Sequence, residues 1–206
     1  FLAEWGVTVL VNPISRYVID PNRPPFQKIG DAYTTNCIYE TTTSGEPMYT
    51  APLTEAVRLE RKRCYYDAYH QALKQLLAEK KQRFSKVYFL DLHSYGMDTG
   101  SDAIIGTQFG QTCSAAYSTA LRTLLEQEGL RVAENQPFAG GYLTKHYGVD
   151  AQIEAAQIEL SYAYYIDHRT FGREAFPEIC PAVFADAQQH LQSFFKNLLK
   201  EQITCQ

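Results

Sequence analysis

The run Val87-Tyr-Phe-Leu-Asp-Leu-His-Ser-Tyr-Gly96 constrains the fold of this chain more than any other stretch. β-Branched, aromatic and aliphatic residues follow one another from Val87 to Leu92, and polarity enters only at Asp91. Such a continuous apolar run reads as a strand buried on both faces of a parallel or mixed sheet. His93 then falls at the C-terminal end of the strand. In open α/β sheets the ligand crevice lies outside the carboxyl ends of the strands, so His93, followed by Ser94 and the permissive Gly96, is placed to face a site. The competing reading of the same residues is a partly buried histidine satisfied by a backbone carbonyl.

A sheet of this kind needs helices to cover it, and the chain supplies three with apolar residues at helical spacing. The first starts at Thr54, a side chain suited to capping, and runs through Val57, Leu59, Leu73 and Leu77. A second is predicted from Ser114 to Glu128, ending on Gly129. A third opens at Pro181 and continues through Phe184, Leu191, Phe195 and Leu199. Val7–Val11 reads as a short strand closed by Asn12-Pro13, and Ala155–Ser161 as a further buried strand. Between them, residues 96–113 look like a glycine-rich loop, and residues 26–53 a long excursion that could form a lid. The expectation is an α/β fold with a mixed, mostly parallel sheet flanked by helices. With 206 residues, one domain spanning 1–206 is the default. Phe1–Gly6 resembles the last turn of a helix ending on a glycine, so this domain is expected to lack its N-terminal part.

Charge and cysteine usage narrow the function classes. A formal net charge of −4 with no basic run argues against nucleic acid and membrane surfaces as partners. No apolar stretch approaches the roughly 18 residues of a membrane helix. The five cysteines are scattered, odd in number and lack a C-x-x-C pair, which disfavours a disulfide framework and a cysteine zinc site. A reducing, cytoplasmic setting is expected from this; the oligomeric state is not legible.

Four residues stand out as chemistry. Glu159 interrupts an apolar strand pattern, and a carboxylate there is costly to bury unless it is paired or catalytic; a salt bridge to an arginine, or a sheet edge, is the plain alternative. Arg16 and Arg23 sit on an irregular segment stiffened by Pro24 and Pro25, which follow Arg23. They are either surface charges or a bidentate grip on a carboxylate. With His93, they make up the parts of a metal-assisted hydrolase for an acidic substrate. Gly140 and Gly141 add a loop that allows close backbone approach.

Beyond this inventory, specific motifs carry a resemblance. Ser15-Arg-Tyr-Val-Ile-Asp-Pro-Asn-Arg23, Tyr69-His70, Asp91-Leu-His93-Ser94, Gly106-Thr107 with Gly110 and Cys113, Asn135-Gln-Pro-Phe-Ala-Gly-Gly-Tyr-Leu-Thr144, and Tyr147-Gly148 with Gln157–Glu159 follow one another along the chain. Together they resemble the N-formylglutamate amidohydrolase family, a relative of the zinc carboxypeptidases. That resemblance implies a zinc-dependent hydrolase, or one using another divalent metal, that cleaves the formamide bond of an N-formyl amino acid such as N-formyl-L-glutamate, a reaction of histidine degradation. His93 matches a zinc ligand and Glu159 the carboxylate that takes a proton from water and returns it to the departing amine. Asn22 and Arg23 match the pair that holds the substrate's α-carboxylate, with Arg16 a catalytic candidate for a second acidic group or the oxyanion. Gly140, Gly141, Tyr142 and Thr144 match a substrate-facing loop. Asp91 fits a partner that orients a neighbouring group, or a structural residue at a strand end.

The family's first two metal ligands belong to a histidine and an acid near its N-terminus, and no His-x-x-Glu or His-x-x-Asp occurs in these residues. Those ligands are expected upstream of Phe1. His146 and Asp150 have helical spacing, but Gly148 between them makes a poor substitute. A related zinc enzyme with another acyl-amino-acid or peptide substrate, and a metal-free binding protein, are the alternatives.

Overall fold

The computed structural model describes residues 2–25, 35–43, 45–168 and 178–204. Its contacts divide the chain into two compact units, Thr8–Val87 and Phe1–Val7 with Tyr88–Gln206.

In the first unit one long helical stretch does most of the packing. Helix α1 (Glu55–Arg61) runs through a π-helical turn (Lys62–Tyr66) into α2 (Asp67–Arg83). The Thr54 hydroxyl accepts the Val57 amide at 3.4 Å, as its capping pattern predicts. The helix continues six residues past the predicted Leu77, because Lys80, Lys81 and Arg83 in the last turn favour both helix and the negative end of its dipole. Leu73 and Leu77 are buried, one turn apart along the apolar stripe. Residues 35–43 and 45–53 form neither helix nor strand apart from one bridge between Thr41 and Pro47. They are nevertheless anchored, with Cys37, Ile38 and Tyr39 at most 1% exposed. Residues 26–34, part of the long excursion read from the sequence, lie outside the described residues.

Val7–Val11 is not a strand. Its β-branched composition favours one, but a strand needs a neighbour, and Val9 and Val11 are 45% and 69% exposed. The expected helix end does form: Leu2–Trp5 is a single 3₁₀ turn closed by Gly6 at φ +77°.

The second unit holds a four-stranded sheet, β1 (Val87–Tyr95), β2 (Ala103–Gly106), β3 (Val132–Glu134) and β4 (Ile153–Ser161), in the order β1-β4-β2-β3. It is mixed: β2 runs parallel to β3 with Ala103 opposite Val132, and antiparallel to β4 with Ile104 opposite Glu159 and Gly106 opposite Gln157. Strand β2 lies within the stretch read from sequence as a loop. Three apolar residues are too short a run to show a period, yet Ala103, Ile104 and Ile105 are fully buried.

Strand β1 stands at one end of this sheet, a correction to its predicted burial on both faces. Only Val87 and Tyr95 are buried, and Leu92 is 47% exposed. A continuous apolar run reports that both faces have something to touch; it says nothing of how many edges are paired.

Helices α3 (Ala115–Gln127) and α6 (Pro181–Thr204) cover one face. There Ala103, Ile105, Ala156 and Ile158 meet Leu121, Leu125, Phe194 and Leu198, and Tyr88 and Leu90 of β1 pack against the same cluster. Each fully buried leucine contributes about 2 kcal/mol of apolar transfer free energy. Ser114 caps α3 through the Tyr117 amide at 3.3 Å, and Gly129 follows at φ +82°, both at the predicted ends. Two short helices complete the unit, α4 (Tyr142–Tyr147) and α5 (Tyr162–Tyr165).

Candidate active site

Side chains alternate across a strand, so packing on one face assigns the other. With Tyr88 and Leu90 against the core, Phe89, Asp91, His93 and Tyr95 of β1 project from the opposite face. With Ala156 and Ile158 against the core, Ala155, Gln157 and Glu159 of β4 project there too. Because β1 and β4 are neighbours, His93 and Glu159 share one face of the sheet. Ring contacts mark what lies over it: Phe89 meets Tyr147 of α4 at 6.2 Å and Tyr95 meets Phe138 at 5.5 Å between centroids.

His93 Nε2 lies 2.9 Å from Asp91 Oδ1, two residues back on the same strand face. A carboxylate on one ring nitrogen fixes the tautomer and leaves the lone pair on the other, the arrangement found behind metal-binding histidines. The contact places the Asp91 carboxylate within reach of the His93 ring. The Tyr95 phenol stays protonated, its pKa raised first by burial and further by the charges of Asp102 and Glu159, although a hydrogen bond with Thr99 works the other way.

The loop before α4 is pressed onto the sheet. A Cβ on Gly106 would stand 2.4 Å from the Gly140 nitrogen, so only glycine fits under this crossing. Gly140 has φ +108°, a conformation that side chains rarely adopt. The loop is also tied from the side: the Gln108 amide reaches Ala139 O at 2.7 Å and its side-chain amide Gly140 O at 2.6 Å. Asn135 Oδ1 accepts the amides of Thr107 at 2.8 Å and Phe109 at 3.2 Å.

From this loop a polar chain descends to the acid. The Gly141 amide donates to Gln157 Oε1 at 2.7 Å, and Gln157 Nε2 donates to Glu159 Oε1 at 2.8 Å. Thr144 is fully buried one turn further on, its hydroxyl without a hydrogen-bond partner among the described residues. Tyr142 stacks on His146 with centroids 5.0 Å apart. Helix α4 stops at Gly148, so Asp150 lies beyond it and the helical spacing with His146 is never realised.

Arg16, Asn22 and Arg23 belong to the first unit, where Asp20 gathers them. Asp20 is 4% exposed; its Oδ1 accepts the Asn22 amide at 2.8 Å and its carbonyl the Arg23 amide at 3.3 Å. Its Oδ2 accepts the Tyr39 hydroxyl and, at 2.8 Å, Arg16 Nη2. Burial, and then the Asp20 charge, push the Tyr39 pKa far up, so the phenol remains a donor. His70 Nε2 lies 3.1 Å from Pro21 O, and the Tyr66 hydroxyl donates to Arg23 O at 2.9 Å. The segment is thus held residue by residue. Arg23 Nη1 donates to Asn22 O, while its buried Nε has no hydrogen-bond partner among the described residues.

Two residues in these networks received no role from sequence. Gln157 was legible as the residue two before Glu159 on an alternating strand, hence on its face. Asp20 was legible as the first residue of Asp-x-Asn, whose carboxylate caps the amide two residues on.

Zinc requires more donors than these. Among the described residues no group of three or more His, Cys, Asp or Glu side chains is arranged to hold a metal ion. One imidazole backed by one carboxylate does not make the three-ligand catalytic site.

An α/β sheet with one face packed by helices and the other bearing a histidine, a glutamate and a glycine loop is a framework on which a hydrolase can be built. The family model for N-formylglutamate amidohydrolase matches residues 1–166, and the chain belongs to that family. It is similar to the N-formylglutamate deformylase of Pseudomonas aeruginosa, 30% identical over 182 residues that make up 82% of this chain and 68% of that protein. The protein of the same name from Pseudomonas putida is 31% identical over 180 residues, 81% of this chain and 67% of that one. Among solved structures, an N-formylglutamate amidohydrolase from Ralstonia eutropha JMP134 shares the fold with a TM-score of 0.68 at 23% identity, covering 88% of this chain and 72% of that chain. A gene product from Agrobacterium tumefaciens does so at 0.61 and 17%, over 91% and 69%.

Proposed function

We propose that this hydrolase cleaves the formamide bond of an N-formyl amino acid such as N-formyl-L-glutamate, giving formate and the free amino acid. The observation that most supports this reading is the sharing of one sheet face by His93, Asp91 and Glu159 beside the Gly140-Gly141 loop. In this reading Glu159 takes a proton from the attacking water and hands it to the departing nitrogen. Asn22 and Arg23 bind the α-carboxylate, and the buried Arg23 Nε is a donor that such an anion would satisfy. Arg16, braced by Asp20 and Tyr39, serves the second acidic group or the developing oxyanion. Gly140, Gly141 and Tyr142 line the pocket, with Thr144 supporting them.

His93 is proposed as one ligand of zinc or another divalent ion. The described donors fall short of a complete site. The proposal covers residues 1–206 as one functional domain in the cytoplasm, acting on a small molecule; among the described residues no helix is long and apolar enough to cross a membrane.

The incomplete donor set favours one rival, a binding protein that keeps the anion-gripping arginines without turnover. Metal analysis separates the two. About one zinc per chain, lost in His93→Ala, is expected of the enzyme, whereas a metal-free protein that still binds glutamate is expected of the rival. The substrate is tested by amino acid release from formyl-glutamate, formyl-methionine and a C-terminal peptide. Preference for formyl-glutamate supports the reading; release only from the peptide overturns it.

A further inference from the structure

Gln157 is 3% exposed and stands between the two parts of the site that must act together. Its side-chain oxygen accepts the amide of Gly141, the residue where the glycine loop becomes helix α4, at 2.7 Å. Its side-chain nitrogen donates to Glu159 Oε1 at 2.8 Å. Both bonds have ordinary lengths, and the opposed ends of the amide allow only one orientation: a flipped amide would set its nitrogen against the Gly141 N–H and its oxygen against the Glu159 carboxylate. The strand register adds a second constraint. Gln157 pairs with Gly106 and Glu159 with Ile104 across β2, and it is over Gly106 that the loop makes its closest approach. Loop, amide and carboxylate are therefore stacked along one strand face.

From this arrangement we infer that Gln157 is a positioning residue, coupling the Gly141 loop to the Glu159 carboxylate so that the loop that faces substrate and the orientation of the acid are set together. The inference deepens the proposed function and rests on it for the word substrate; the coupling itself rests only on the two hydrogen bonds. A carboxylate with one oxygen held by a buried donor has its other oxygen fixed in direction, and catalytic groups misplaced by about 1 Å lose on the order of 10²-fold in rate. Glutamine is suited to this place because it donates at one end and accepts at the other. Glutamate would set a second carboxylate against Glu159, and methionine would fill the volume with neither bond.

The test uses two readouts on the whole protein. Amide hydrogen exchange at Gly141 reads the coupling without any substrate. In Gln157→Met the Gly141 exchange rate is expected to rise by at least ~10-fold, as for a loop amide released to local opening. In Glu159→Leu, which removes the acceptor at the far end of the same side chain, it should rise as well, and the double variant should show no further increase. Unchanged exchange in Glu159→Leu, or strictly additive effects, overturns the coupling. Kinetics then reads its use: Gln157→Met is expected to lower kcat on formyl-glutamate by roughly 10- to 100-fold, and to add little in a Glu159→Gln background, where partners acting as a unit are not additive. A full additional loss in that background overturns the positioning role. Failure of the parent protein to turn over any formyl amino acid would count against the proposed function while leaving the exchange result to decide the coupling. Should Gln157→Met not fold, Gln157→Glu keeps an acceptor for Gly141 and replaces the amide donor to Glu159. It should lower kcat more than it raises KM, and an unchanged kcat overturns the inference.

Discussion

A buried charge needs partners, and Asp20 has several. Asp20 is surrounded by donors from Arg16, Tyr39 and the Asn22 backbone, so what the sequence offers as a substrate-binding arginine is in part the brace of a loop. The arginines were visible in the sequence because prolines stiffen their segment. The second acceptor of Arg16 was not, because the Tyr39 hydroxyl that takes its other hydrogen bond lies 23 residues away and no local pattern announces it. His93 and Glu159 were legible for a simpler reason: one follows an apolar strand run and the other interrupts one, and strand alternation then fixes the face of each. On this account Arg23→Ala removes a donor to the substrate's carboxylate and should raise KM by at least ~10-fold while changing kcat far less. Steady-state kinetics on formyl-glutamate checks this; a loss confined to kcat would remove Arg23 from anion binding.

Elements with a period or a cap were readable, and those defined only by their partners were not. Thr54, Ser114 and Gly129 set helix ends where predicted, since a cap is a matter between neighbours in sequence. Strand β2 has three apolar residues and no period; it exists because β3 and β4 pair with it on either side. Val7–Val11 shows the converse, a strand-like composition that stays single. Close approach of elements is equally silent in sequence: nothing local says that Gly106 lies beneath Gly140. Gly106→Ala should push the Ala139–Gly140 crossing away from β2, lowering the melting temperature and quickening exchange at Gly141. An unchanged Tm and exchange pattern would show that the crossing yields freely.

Strands β2 and β3 are also joined at their start by Asp102 and Arg131, whose side chains meet at 2.8 and 2.9 Å. The hydrogen bond from Arg131 holds the Asp102 carboxyl below its usual range. A folded-state pKa below the unfolded value contributes stability that is present above the unfolded pKa, about 3.9, and is lost as pH falls through the folded one. Arg131 is 68% exposed, so solvent screening keeps this contribution small. Between pH 7 and pH 3, Asp102→Asn should therefore lose slightly less melting temperature than the parent. A steeper loss in the variant would reverse the sign of the linkage.

At the scale of the whole molecule, the chain is an α/β member of the N-formylglutamate amidohydrolase family, with His93 and Glu159 on one sheet face and the Asp20–Arg23 segment in the other compact unit. The class of fold was legible because the long apolar run Val87–Leu92 and the three amphipathic helices carry their pattern in the local sequence. The order of the strands was not, because register and neighbour choice depend on contacts far apart in the chain. The central claim is that Glu159 moves the proton in the hydrolysis of an N-formyl amino acid. Its most direct test is the rate of formate release from N-formyl-L-glutamate by the parent and by Glu159→Gln, with glutamate binding measured alongside. The account predicts a loss of at least ~10²-fold in kcat with binding nearly intact; equal rates in the two proteins would contradict it.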